Sequence, residues 1–269
     1  MRSFENIVKD LAVDECLGRS AVDAAKSVVA DYLIIFNGRS GSSWLTSLLA
    51  GRLGNPDEHI NPEFLRQSAT TVGAVEAKTF MQALRGVAQI DGVFGIEATS
   101  EHIAIFGEDV FFKAFPKLTV FHLWRENLVA QAVSLFRATA TGYFHSVEGD
   151  NPVDPEYNAA KLSEWFRYLA HVENLNVELV ERRSLQPINL TYETLFMDKQ
   201  KTLAVFYRAL GMPVPDTDLP VDEKIRKIGG NWSKDTEAKF RQDHAELIAS
   251  VEAVRKTRLL AMKSCLDNP

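Results

Sequence analysis

Residues 32–49 read YLIIFNGRSGSSWLTSLL, and the fold turns on how they are divided. The apolar run 32–36 is too short for a helix and ends on breakers, so it predicts a buried strand. Helical spacing then resumes over 42–52. A strand, a glycine-rich turn and a helix in that order aim backbone amides and a helix N-terminus at one point. Gly38 and Gly41 permit close backbone approach or a positive φ. Ser40, Ser42 and Ser43 add hydroxyls, and one of them also suits a helix cap. Arg39 adds a forked positive charge. A phosphate or a sulfate fits this chemistry. The alternative is a pair of capping serines with Arg39 turned to solvent. Two familiar nucleotide loops are excluded. No Lys-Ser/Thr pair follows the glycines, and G-x-G-x-x-G is absent.

Upstream, residues 3–30 have helical spacing with Phe4, Ile7, Val8 and Leu11 on one side, and Gly18 is expected to separate two short helices. Downstream, GNPDEHINPEF at 54–64 is a turn-rich connection, 74–90 reads as helix, 92–98 as a short buried strand and 101–108 as helix. PKLTVFHLWR at 116–125 predicts a second firm strand, followed by the helical ENLVAQAVSLFRATATG. Residues 155–183 read as helix with a break near 174–176. A further strand is expected at 186–192, then a helix at 194–210, the polar loop KIRKIGGNWSKD and a last helix over 236–262. Alternating strands and helices predict an α/β fold with a central, mostly parallel sheet flanked by helices.

The chain has 269 residues, 46% of them apolar, enough for the core of one large domain. The formal charge of −6 argues against nonspecific nucleic-acid binding. Cys16 and Cys265 are neither a disulfide framework nor a metal quartet. His102, His122, His145, His171 and His244 lack ligand spacing, so no metal is assigned. Nothing approaches the ~20 apolar residues of a membrane span, and no signal peptide is visible. The expectation is a soluble, cytoplasmic protein, with peripheral contact to a lipid substrate left open.

A second site candidate lies at the end of the second strand. Arg125 falls there, and Ser134 follows nine residues later inside the next helix. They converge on one phosphate if that helix folds back over the strand end, where ligands of open α/β sheets sit. Gln131, one turn earlier, then faces the same cleft. The alternative is a surface ion pair and a serine bonded to its own helix. Glu58 is placed to take a proton from a substrate hydroxyl, and His59 is a second general-base candidate. Tyr192 and Glu193 end the third strand candidate and either orient substrate or stabilise the sheet edge. The late loop holds Arg226, Lys227, Gly229, Gly230, Trp232 and Lys234, the composition of a basic lid or of a solvated linker. Trp232 either stacks on a base or anchors that loop.

Together these segments resemble the PAPS-dependent sulfotransferase superfamily, and within it the bacterial trehalose and lipopolysaccharide-core enzymes of the Stf0 type. GRSGSSWLTSLL is similar to the family's R-S-G-S-T/S-x-L loop, PDEH to its glutamate segment and WRENLVAQAVSLFRA to its second motif. INLTYETL, LGMPVP and RKIGGNWSKDTEAKFR resemble its late strand, turn and C-terminal donor loop, so the likeness spans about residues 32–245. The resemblance implies a single P-loop-like three-layer domain, with a helical extension over 1–30 and a donor-binding loop and helix over 224–262. It implies sulfuryl transfer from PAPS to a hydroxyl of a carbohydrate or glycolipid, without metal. By it, Arg39, Ser40, Gly41, Ser42 and Ser43 hold the 5'-phosphosulfate, Arg125 and Ser134 the 3'-phosphate, and Glu58 acts as base. Arg226 is the best match in the late loop, with Lys227 and Trp232 weaker. One departure stands out: Glu97 occupies the place where such enzymes can carry a lysine. Residues 1–30 have no family counterpart and either cover the core or make a homo-oligomer contact. The rival functions are a noncatalytic nucleotide- or glycan-binding module and a nucleoside-triphosphate-dependent phosphotransferase.

Overall fold

A computed structural model describes residues 2–115, 117–144, 153–215 and 230–266 of the chain. The chain begins with helices α1 (Phe4–Val8) and α2 (Glu15–Ala24), then strand β1 (Ala30–Ile35) and helix α3 (Ser42–Leu49). Helices α4 (Leu65–Val72) and α5 (Ala77–Ala88) lead to strand β2 (Val93–Ala98). Helices α6 (Ser100–Phe106) and α7 (Glu108–Lys113) precede strand β3 (Leu118–Trp124) and helix α8 (Leu128–Thr141). The long helix α9 (Ala159–Arg182) precedes strand β4 (Ile188–Thr191). Helices α10 (Tyr192–Met197), α11 (Lys199–Ala209), α12 (Asn231–Asp243) and α13 (Ala245–Leu266) follow.

The four strands form one all-parallel sheet in the order β2-β1-β3-β4. Its side chains alternate between two cores with a period of two. Leu33 and Ile35 of β1 join Phe94, Ile96 and Val120 in a core covered by α1, α4, α5, α6 and α7. Tyr32 and Ile34 join Phe121, Leu123 and Leu190 in the opposite core, against Leu45 and Leu48 of α3 and Phe206 of α11. A third cluster, with Leu128, Phe166, Phe240 and Ile248, binds α8, α9, α12 and α13. The result is the three-layer α/β architecture expected from the strand–helix alternation.

The strand order locates a site before any side chain is considered. From β1 the chain moves to one side to form β2, then returns to the other side of β1 as β3. The loops leaving the carboxyl ends of β1 and β3 therefore diverge. That is a topological switch point, where open α/β sheets bind ligands.

Several boundaries differ from those the sequence suggested. The break near the N-terminus falls between α1 and α2, where Asp14 caps α2, and Gly18 lies inside α2. Gly18 is there for packing, since a Cβ on it would sit 2.3 Å from the carbonyl oxygen of Gly73. Phe4 packs against Phe80 and Phe106 at ring separations of 5.3 and 5.0 Å, so the first segment covers the core. The expected break at 174–176 is absent, because α9 runs unbroken to Arg182 and Asn176 has buried partners of its own. Asp198 divides the expected 194–210 helix by accepting from the Lys201 N–H, and His244 divides the last helical region. Helices α4 and α7 carry no separate sequence signal; Gly107, at φ 110, separates α7 from α6.

Gly18→Ala tests the close α2 contact. Alanine favours a helix interior by about 1 kcal/mol over glycine. The backbone clash is nevertheless expected to lower stability by about 1–3 kcal/mol. Urea unfolding measures this, and an unchanged or raised midpoint contradicts the packing.

Candidate functional site

The loop after β1 is shaped by two left-handed residues, Arg39 at φ 64 and Gly41 at φ 92. Gly41 is also pressed against Tyr192, whose Cδ2 would lie 2.6 Å from an added Cβ. Gly38, by contrast, has nothing within 4 Å of such an atom. A left-handed non-glycine residue costs about 1–3 kcal/mol and persists only where its surroundings fix it. Gly41 is the N-cap residue of α3 and no side chain caps the helix, so neither Ser42 nor Ser43 does. The Ser42 and Ser43 amides of the first turn are therefore not taken up by a capping side chain, which suits them to an anion.

The loop after β3 meets this first loop directly. Arg125 donates from one terminal guanidinium nitrogen to the carbonyl oxygen of Arg39 at 2.9 Å. Its guanidinium also lies 4.4 Å from the centre of the Tyr192 ring. Arg39 donates from Nε to Ser134 Oγ at 3.0 Å, and from a terminal nitrogen to the Phe144 carbonyl. Gln131 donates from Nε2 to the carbonyl of Gly38 at 2.8 Å. Arg39, Arg125, Gln131 and Ser134 are thus brought together at the switch point.

The electrostatics favour an anion. Burial lowers the pKa of Arg39, and the neighbouring Arg125 lowers it further. Burial likewise lowers Arg125, against the opposing pull of Tyr192, Glu193 and Glu237. Among the described residues neither arginine forms an ion pair with a carboxylate. The charge of Arg125 thus works against that of Arg39, a repulsion that bound anions would relieve.

Unpartnered atoms mark the same edge. Among the described residues, the buried side-chain polar atoms without a hydrogen-bond partner are Ser40 Oγ, Glu97 Oε2, Ser100 Oγ, His102 Nδ1, Arg125 Nε and Gln131 Oε1. All belong to the carboxyl ends of β1, β2 and β3 or to the segments that follow them. Each such group costs about 1–3 kcal/mol if it stays unsatisfied. Their concentration on one sheet edge makes it a candidate polar site.

The turn at 125–127 is held from three sides. Glu193 accepts from the backbone N–H groups of Glu126 and Asn127 at 3.0 and 3.4 Å. Asn127 caps α8, donates to Glu237 at 2.8 Å and accepts from Arg241 at 2.9 Å. Arg255 of α13 donates to the carbonyls of Arg125 and Glu126 at 2.7 and 3.0 Å. Its other donors meet Glu173 at 2.8 and 3.0 Å, and the two side chains are 4% and 3% exposed. Below the first loop, Asn176 donates to the Phe36 carbonyl and Asn37 Oδ1, both at 2.9 Å, and accepts from the Ser100 N–H at 2.8 Å. Asn176, Glu173 and Arg255 were not singled out from the sequence. The available signal for the first two is a pair of polar residues on the apolar stripe of α9, beside Leu169, Val172 and Leu179.

Glu58 and His59 lie on the loop between α3 and α4. Glu58 accepts from Asn61 Nδ2 at 2.7 Å, and burial raises its pKa, with smaller contributions from Asp57 and Glu63. His59 Nε2 contacts the Asn55 carbonyl at 3.1 Å, and burial lowers its pKa. The Glu97 backbone N–H donates to the Asp57 carbonyl at 3.1 Å, which ties this loop to the end of β2. Ser40 and Ser42 are buried and Ser43 is half-buried. His122 is packed against Trp124, and burial holds its pKa down at about 3. Trp232 donates to the Pro155 carbonyl at 3.1 Å and lies over Phe136, contacts that anchor α12. Arg226, Lys227 and His145 fall outside the described residues.

The model of the Stf0 sulphotransferase family matches residues 105–243, just over half of the chain. The chain therefore belongs to the Stf0 sulphotransferase family, whose chemistry is sulfuryl transfer. No individually curated protein matches it. The matched region contains Arg125, Gln131 and Ser134; the Arg39 loop lies before it and meets it through Arg125 and Ser134, and Glu58 also lies before it. Among the described residues, no helix is long and apolar enough to cross a membrane.

Arg255→Met tests the support beneath Arg125. It strands the buried Glu173 carboxylate and two backbone carbonyls, and is expected to lower stability by about 3–5 kcal/mol. Chemical denaturation measures the loss. A change below about 0.5 kcal/mol, as at an ordinary surface site, contradicts the clamp.

Proposed function

We propose that this protein transfers the sulfuryl group of 3'-phosphoadenosine 5'-phosphosulfate (PAPS) to a hydroxyl of a carbohydrate or glycolipid. The observation that carries this is the junction of the Arg39 loop with Arg125 and Ser134, around buried polar atoms that lack partners. A doubly phosphorylated adenosine fits such a pair of adjoining anion sites. The amides of residues 41–43 and the hydroxyls of Ser40, Ser42 and Ser43, with Arg39, hold the 5'-phosphosulfate, while the Ser40 amide donates to the Asn37 carbonyl. Arg125 and Ser134 hold the 3'-phosphate. Arg226 and Lys227 are further candidates for binding it.

When bound, PAPS supplies a sulfuryl group on a phosphate leaving group. The acceptor oxygen forms a bond to sulfur while the bond from sulfur to the phosphate oxygen breaks. Glu58 takes the acceptor's proton. The guanidinium of Arg39 and the loop amides stabilise charge on the departing phosphate. Asn61 orients Glu58 through the bond to its carboxylate. His59 is the second candidate for the base, but its Nε2 already contacts Asn55. Support for a sugar acceptor comes from the exposed rings of Tyr143 and Phe144, since Arg39 is bonded to the Phe144 backbone. Phe64, also exposed, follows Glu58 on the same connection.

Mass spectrometry of sulfate transfer from PAPS onto a panel of sugars and bacterial glycolipids tests the activity. A sulfated product is expected. Binding of adenosine 3',5'-bisphosphate without turnover on any acceptor favours the binding module, and Mg²⁺-dependent transfer from a nucleoside triphosphate favours the phosphotransferase.

Glu58→Gln is expected to lower kcat by about 100-fold or more while leaving affinity for adenosine 3',5'-bisphosphate within about twofold. Arg125→Gln is expected to weaken that affinity by about tenfold or more. Full turnover by E58Q moves the base to His59. A pH profile provides a separate check. Because burial raises the Glu58 pKa, the rate is expected to fall with decreasing pH while still above the ordinary carboxylate range. E58Q removes that limb; a limb that persists in E58Q belongs to another group.

A further inference from the structure

Glu97 is 2% exposed, at the carboxyl end of β2 and opposite Ile34 of β1. The Ser42 side chain lies beside its carboxyl group, while Oε2 has no partner among the described residues. The other groups bearing on it are the carboxylates of Glu58 and Asp57 on the facing loop and the Tyr32 phenol on β1. None of these is a cation. An ionised Glu97 would be a buried carboxylate beside two others, next to a loop built for an anion.

We propose that Glu97 works as a neutral carboxylic acid whose O–H is a hydrogen-bond donor on the Ser42 side of the cradle, an inference that rests on the donor site proposed above. A protonated carboxyl has one donor and tolerates a neighbouring polyanion, whereas a carboxylate has only acceptors and repels it. Burial, with the charges of Glu58 and Asp57, raises its pKa well above the carboxylate range, and Ser42 opposes this only in part. Glu97 is a positioning residue for the donor and is distinct from Glu58, which takes the acceptor's proton.

Titration calorimetry with adenosine 3',5'-bisphosphate, from about pH 7 to pH 9.5, tests this on the wild type and on Glu97→Gln. Over that range the phosphates of the ligand are already ionised. Glutamine keeps a neutral donor, so E97Q is expected to match wild-type affinity within about threefold near pH 7 and to hold it as pH rises. Wild-type affinity is expected to fall on the order of tenfold per pH unit once Glu97 ionises. A loss of more than about tenfold in E97Q near pH 7, or a fall in E97Q affinity with rising pH that parallels the wild type's, overturns the proposal.

Unfolding without ligand separates the two ideas. A raised folded-state pKa gives stability that is complete below the unfolded carboxylate pKa and is lost as pH rises through the folded value. The stability advantage of E97Q over the wild type is therefore expected to grow with pH. A constant difference overturns the neutral acid, whether or not the nucleotide binds. Absence of binding to both proteins at every pH, with a growing stability difference, overturns the donor site and leaves Glu97 protonated without that role.

Discussion

The hydrogen bond from the Arg125 guanidinium to the Arg39 carbonyl, with those from Gln131 to Gly38 and from Arg39 to Ser134, joins the two halves of the site. It spans the switch point between β1 and β3 and fixes a left-handed arginine whose own side chain reaches Ser134. The bond is possible only because the sheet order sets the two strand ends side by side. It brings together two positive groups that gain little from each other and much from an anion. Loop shape, charge and strand order thus converge on one place.

Keeping that place assembled takes much of the rest of the molecule. Gly41 lets Tyr192 approach, and Tyr192 in turn carries the Arg125 guanidinium on its ring. Glu193, Asn127 and Arg255 fix the turn that bears Arg125. Asn176 locks the start of the first loop to α6 and α9. These are buried polar bonds with defined partners. Their worth lies in holding donors where charge develops, since groups fixed in advance need no reorganisation during reaction. Among the described residues, the buried side-chain atoms without partners lie at the carboxyl ends of the strands or on the segments that follow them.

The part of this that the sequence made legible is the part governed by local rules. A short apolar run followed by glycines and a new helical period marked β1, its loop and α3. Arg125, Gln131 and Ser134 were visible because strand end and helix spacing put them on one side. Local rules failed where long-range partners decide. Asn176 reads as a helix breaker, yet α9 passes through it because its amide is satisfied by Phe36, Asn37 and Ser100. Gly18 reads as a break for the same reason, and is instead a contact surface for Gly73. Arg255 looked like any charge on a terminal helix, since its partners on α9 and the 125–127 turn are remote in sequence. Glu97 stands out in the sequence as a departure, but its burial beside Ser42 and two carboxylates is set by contacts remote in the chain.

A crystal structure of the protein with adenosine 3',5'-bisphosphate tests the shared cradle most directly. The expected result is a single nucleotide with its 5'-phosphate on the amides of residues 41–43 and its 3'-phosphate between Arg125 and Ser134. A nucleotide bound away from both loops, or one whose phosphates touch only one of them, contradicts it.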